Sequence, residues 1–126
     1  MAKILLVDDE PEIVYLTRTM LEKAGYEVMV ANDSAECFKI LKEEKPDLIL
    51  MDIMMPGDDG WETCKKIKED EKTKDIPVAM FTVRSSEDSV KKSFRYSRAD
   101  TQINKPFRRE EVLDKIKGLL EKSTSS

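Results

Sequence analysis

Residues 48–52 read Leu48-Ile49-Leu50-Met51-Asp52, four apolar side chains running straight into a carboxylate. The chain then turns at once through Met54-Met55-Pro56-Gly57-Asp58-Asp59-Gly60. A short, unbroken apolar run is how a strand buried on both faces reads. Ending such a run on an ionisable group is costly unless the charge reaches water or a cation at the sheet edge. Aspartate also commonly stops a strand and starts a turn, so Asp52 takes its meaning from what surrounds it.

Working outward, the same unit of a short apolar run followed by an amphipathic stretch recurs along the chain. Ile4 to Val7 precedes Ile13, Leu16, Met20, Leu21 and Ala24 at helical spacing, closed by Gly25. Val28 to Ala31 precedes a helix opened by Asp33, with Glu36 three residues later. Leu48 to Met51 precedes a helix beginning near Gly60, and Val78 to Phe81 precedes one starting near Ser85 or Ser86. A weak strand over Thr101 to Ile103 precedes Val112, Leu113, Ile116, Leu119 and Leu120 on one helical face. Five strand–helix units predict an α/β, doubly wound parallel sheet in a three-layer sandwich. Such sheets bind ligands beyond the carboxyl ends of their strands, where the strand order reverses.

A chain of 126 residues is the size of one domain. Lys and Arg total 22 against 26 Asp and Glu, a net charge of −4, which gives no reason to expect direct nucleic-acid binding. Cys37 and Cys64 lie far apart and the chain has no histidine, which argues against a zinc site and a disulfide framework and points to a reducing, cytoplasmic setting. Without histidine neither a Ser-His nor a Cys-His pair can form, and any histidine chemistry must come from a partner. The apolar run after Lys3 is too short for a signal peptide or a membrane span, so no membrane insertion is expected. Residues 123–126 read as a tail or the start of a linker.

The carboxyl ends of the predicted strands carry Asp8 and Asp9, then Asp52, then Thr82, with Lys105 just after the last strand. Asp8, Asp9 and Glu10 also favour the positive start of a helix that has Pro11 in its first turn. Carboxylates about 4 Å apart repel by about 4 kcal/mol at an effective dielectric of about 20, so a cation belongs among them. Lys105 supplies one charge, and Mg²⁺ fits because it takes one or two carboxylates, keeps waters and accepts a phosphoryl oxygen.

Val7-Asp8-Asp9-Glu10, Asp52 followed by Met55-Pro56 and Asp59-Gly60, Thr82, and Lys105-Pro106-Phe107 together resemble a response-regulator receiver domain of two-component signal transduction. The resemblance covers nearly the whole chain and implies a receiver domain over residues 1–122 with the CheY-like, flavodoxin-like strand order 2-1-3-4-5. It implies that Asp52 accepts a phosphoryl group from a phosphohistidine on a histidine kinase or phosphotransfer protein, with Thr82 and Lys105 contacting the phosphoryl group. It also implies that Asp8, Asp9, Asp52 and the Met54 main-chain carbonyl hold Mg²⁺, with Mn²⁺ able to substitute. Output is then expected through an output protein or domain docked on the face formed by the fourth helix, the last strand and the last helix.

Several positions depart from the family pattern. Gln102 stands where relatives keep an aromatic switch residue, so Thr82 is expected to move while Gln102 contributes polar contacts only. Met54, Val83 and Arg84 occupy rate-tuning positions and cannot act as general bases, which predicts slow self-dephosphorylation in a chain that is otherwise no enzyme. Two competing readings are a receiver-like module that acts without phosphorylation and an aspartyl-phosphate phosphatase of the haloacid-dehalogenase type. The second usually has an acid where this chain has Met54.

Overall fold

The structure, a computed structural model, describes residues 2–52, 54–55, 58–82, 101–104 and 109–124. Its elements run β1 (Lys3–Val7), α1 (Pro11–Lys23), β2 (Glu27–Ala31), α2 (Ser34–Glu43), β3 (Leu48–Asp52), β4 (Met54–Met55), β5 (Asp58–Asp59), α3 (Gly60–Glu69), β6 (Val78–Thr82), β7 (Thr101–Asn104) and α4 (Arg109–Thr124). Five strands form one parallel sheet in the order β2-β1-β3-β6-β7. Counting only these five in chain order, that is the expected 2-1-3-4-5.

Period-two alternation sorts the central strands into two apolar layers. Leu5, Val7, Ile49, Met51, Val78 and Met80 pack with Cys37 of α2 and with Cys64 and Ile67 of α3. Ile4, Leu6, Leu48, Leu50 and Ala79 pack with Leu21 of α1 and with Val112 and Ile116 of α4. Every second side chain thus faces a different pair of helices, which is why these strands read as continuous apolar runs. The edge strand β2 is only partly buried along most of its length.

Local signals place most helix ends. Pro11 opens α1, and after Lys23 the chain turns through Gly25, whose φ of +97° is a conformation that favours glycine. Asp33 caps α2 by accepting the Glu36 N–H at 2.8 Å, and the Glu36 carboxylate in turn accepts the Asn32 N–H at 2.7 Å. The hydroxyls of Ser34 and Thr63, 2.5 Å apart, tie the first turns of α2 and α3 together.

Four details differ from the sequence-based expectation. Leu16, assigned to the buried face of α1, is 60% exposed, because the stripe that faces the sheet is Val14, Thr17 and Leu21. The turn after Asp52 contains a short antiparallel ladder that pairs Met54 with Asp59 and Met55 with Asp58. Strand β3 includes Asp52 itself, and α4 runs to Thr124. The fourth predicted helix lies outside the described residues.

Both cysteines are buried and neither forms a disulfide. Burial pushes the Cys37 thiol from its usual 9.0 up to about 12, with the neighbouring Cys64 adding to the rise. A thiol with a raised folded-state pKa contributes stability that is complete below the unfolded value and is lost as pH climbs to the folded one. Between about pH 9 and 12 the unfolded chain sheds this proton first, at a cost of up to about 1.4 kcal/mol per pH unit. Urea unfolding at pH 8, 9 and 10 is expected to show a steeper loss in the wild type than in Cys37→Ala. Parallel losses would contradict this.

Candidate functional site

The chain passes from β1 outward to β2 and then back across to β3, so the strand order reverses between β1 and β3. Ligands of open parallel sheets gather at that point, beyond the carboxyl ends. Asp52 is the last residue of β3, and Asp8 immediately follows β1. Their meeting follows from register. Val7 pairs with Met51, and the Asp8 N–H continues the ladder by donating to the Ala31 carbonyl at 3.1 Å. Asp8 and Asp52 are therefore next in register on adjacent strands, on the even-numbered positions that share a face with Leu6 and Leu50.

Asp8 is fully buried and Asp52 is 3% exposed. The carboxylate oxygens of Asp8, Asp52 and Glu10 lie within 4.8 Å of one another, and Glu10 stands at the exposed lip. The Glu10 N–H donates to Asp8 Oδ1 at 3.0 Å, which orients one acid of the buried pair. Asp9 is not a member of that set, although its Oδ1 is buried and accepts no hydrogen bond among the described residues. At an effective dielectric of about 20, two carboxylates at this separation repel by about 3 kcal/mol. Hard oxygen donors collected in this way fit a hard divalent cation.

The remaining sequence-predicted residues divide in two. The backbone puts Thr82 at the carboxyl end of β6, one residue beyond the Phe81 that pairs with Asp52. Met54 opens β4 two residues after Asp52, and Gln102 pairs with Met80 inside β7. Lys105, Val83 and Arg84 lie outside the described residues. Sequence reasoning assigned Glu10 only to the helix start. The run Asp8-Asp9-Glu10 held the signal for a third acid at the site, but which of the three converge depends on strand register.

An open parallel α/β sheet in this strand order, with acids grouped at its switch point, is a flavodoxin-like domain. Residues 4–117 match the family described as the response regulator receiver domain, and the chain belongs to that family. It is accordingly a phosphoacceptor domain of two-component signalling. The chain is 38% identical over 120 residues to the phosphate regulon transcriptional regulatory protein PhoB of Pseudomonas aeruginosa, covering 95% of this chain and 52% of that protein. It thus spans about half the length of the curated relatives it matches. The crystal structure of a CheY-like response regulator receiver domain protein from Methanospirillum hungatei superposes with a TM-score of 0.90 at 30% identity, covering 99% of this chain and 98% of that one. The receiver domain of sensor histidine kinase PA1611 from P. aeruginosa, crystallised with a magnesium ion coordinated in its active site cleft, shares the fold with a TM-score of 0.87 at 24% identity, over 95% and 98% of the two chains. Among the described residues, no helix is long and apolar enough to cross a membrane.

Proposed function

We propose that Asp52 is the phosphoacceptor of this receiver domain and that a histidine kinase or phosphotransfer protein is its donor. The observation that carries the reading is the Asp52 carboxylate at the end of a central strand, 3% exposed and grouped with Asp8 at the switch point. A carboxylate oxygen of Asp52 attacks the phosphorus of the partner's phosphohistidine. The P–O bond forms as the P–N bond breaks, and the electron pair returns to the imidazole. A carboxylate nucleophile needs no general base, so positioning and charge neutralisation supply most of the rate. The absence of histidine from this chain agrees with a donor that brings its own.

Asp8, Asp9, Asp52 and the Met54 main-chain carbonyl would hold Mg²⁺, which when bound neutralises the acids and the transferring phosphoryl oxygens. Lys105, which directly follows β7 in sequence, adds a fixed positive charge, and the Thr82 hydroxyl donates to the new phosphate. The phosphate's charge and acceptor oxygens draw Thr82 inward and alter the output face around β7 and α4, which an output protein or domain reads. Gln102 contributes only polar contacts to this movement. Met54, Val83 and Arg84 supply no base to activate water, so the phosphate is lost slowly. The setting is the cytoplasm, where both thiols stay reduced.

Mass spectrometry after addition of acetyl phosphate tests the assignment. The protein is expected to gain one phosphoryl group with Mg²⁺ and none with a chelator in excess. No gain in either condition would favour a module that works without phosphorylation.

A further inference from the structure

We infer that the cleft between the later turns of α2 and α3 binds a small organic anion, one that carries a carboxylate, sulfonate or phosphate beside an apolar body. The hydroxyls of Ser34 and Thr63 tie the two helices together at their first turns. Toward their other ends the helices border a cavity of about 370 Å³, a volume within the range of small-molecule clefts. None of its lining residues belongs to the acidic site around Asp52.

The lining divides by chemistry. Phe38 and Leu41 of α2 form its apolar part, both only partly buried where they pack against the core. Lys42, Lys66 and Lys72 line it as well, against a single acid, Asp70. Asp70 Oδ1 already accepts the Lys72 N–H at 2.9 Å. The Asp70 main-chain carbonyl accepts the N–H groups of Thr73 and Lys74, and the buried Thr73 hydroxyl donates to the Ile67 carbonyl at 2.7 Å, so this wall is a hydrogen-bonded turn. Elsewhere Lys74 pairs with Glu71, Lys3 with Glu44, and Lys68 donates to the Ile76 carbonyl. Among the described residues, Lys42, Lys66 and Lys72 pair with no carboxylate. The result is a positive cleft on a chain whose net charge is −4. A concave wall of one sign over apolar side chains focuses its field on an anion, because the apolar floor displaces water that would screen it. Phe38 and Leu41 in turn favour a ring or alkyl body, which a bare inorganic anion lacks.

The experiment is an amide-resolved NMR titration of the isotope-labelled full chain with naphthalene sulfonate. Naphthalene sulfonamide serves as the neutral counterpart and sulfate as the charge without the body. Naphthalene sulfonate is expected to shift the amides of residues 38–42 and 66–73 first, with both counterparts binding at least about fivefold more weakly. The double variant Lys66→Gln/Lys72→Gln, at exposed positions outside the core, should weaken naphthalene sulfonate binding about fivefold. Lys23→Gln/Lys117→Gln removes the same charge from exposed positions of α1 and α4, which cover the opposite face of the sheet, and should stay within about twofold of wild type. The inference would be overturned by shifts centred elsewhere or by no shift at all. It would equally be overturned if Lys66→Gln/Lys72→Gln bound within about twofold of wild type, or if either counterpart bound as tightly as the sulfonate.

Discussion

Asp52→Asn is expected to abolish the phosphoryl mass gain that the wild type shows with acetyl phosphate and Mg²⁺, with no slower phase on longer incubation. The substitution keeps the size of the side chain and exchanges an anionic oxygen for an amide, a far poorer nucleophile toward phosphorus. Asp8 and Glu10 each bring a carboxylate oxygen within 4.8 Å of Asp52's, yet Asp8 already spends one oxygen on the Glu10 N–H and Glu10 lies at the exposed lip. Neither is placed to substitute. The variant should retain the wild-type circular dichroism spectrum, since Asn fills the same volume at the end of β3. A mass gain that persisted in the variant would move the acceptor to another acid, and peptide mapping of the phosphorylated residue would show which.

Leu50→Ala is expected to cost about 3–5 kcal/mol of unfolding free energy, a large share of the roughly 5–15 kcal/mol that holds a domain of this size together. Leu50 is fully buried on the central strand, flanked by Leu6 of β1 and Ala79 of β6, in the layer that α1 and α4 cover. Rigid strands on both sides leave little room for collapse around the lost methyl groups, which puts the cost toward the upper part of the usual range. Leu16→Ala is the matched comparison, because Leu16 is 60% exposed and its loss should change stability by less than about 0.5 kcal/mol. Urea unfolding measures both. A loss below about 1 kcal/mol at Leu50 would mean that the layer between the sheet and α1/α4 is less tightly packed than described.

Much of this was legible from residue spacing. The central strands announced themselves as apolar runs because each is covered on both faces, and Asp33 with Glu36 marked the start of α2 through its own capping bonds. The helical stripe of α1 was harder. Leu16 is apolar but lies off the line through Val14, Thr17 and Leu21, and only the packing of that helix shows which line faces the sheet. The ladder of Met54-Met55 with Asp58-Asp59 carries no strand signal in residue type, since its pairing comes from the tight return of the chain. At the site, Asp52 and Asp8 could be placed at strand ends by counting. Glu10 could not, because its approach to Asp52 depends on pairing between strands more than forty residues apart in sequence, as the partners Val7 and Met51 illustrate.

That register has a consequence for evolution. Setting Asp8 and Asp52 side by side, both buried, works against folding in the absence of a cation, and the cost is inseparable from the arrangement that makes the acids useful. Variants selected only for robustness would drift toward neutral residues at these positions, gaining hardiness and losing the ability to carry a signal.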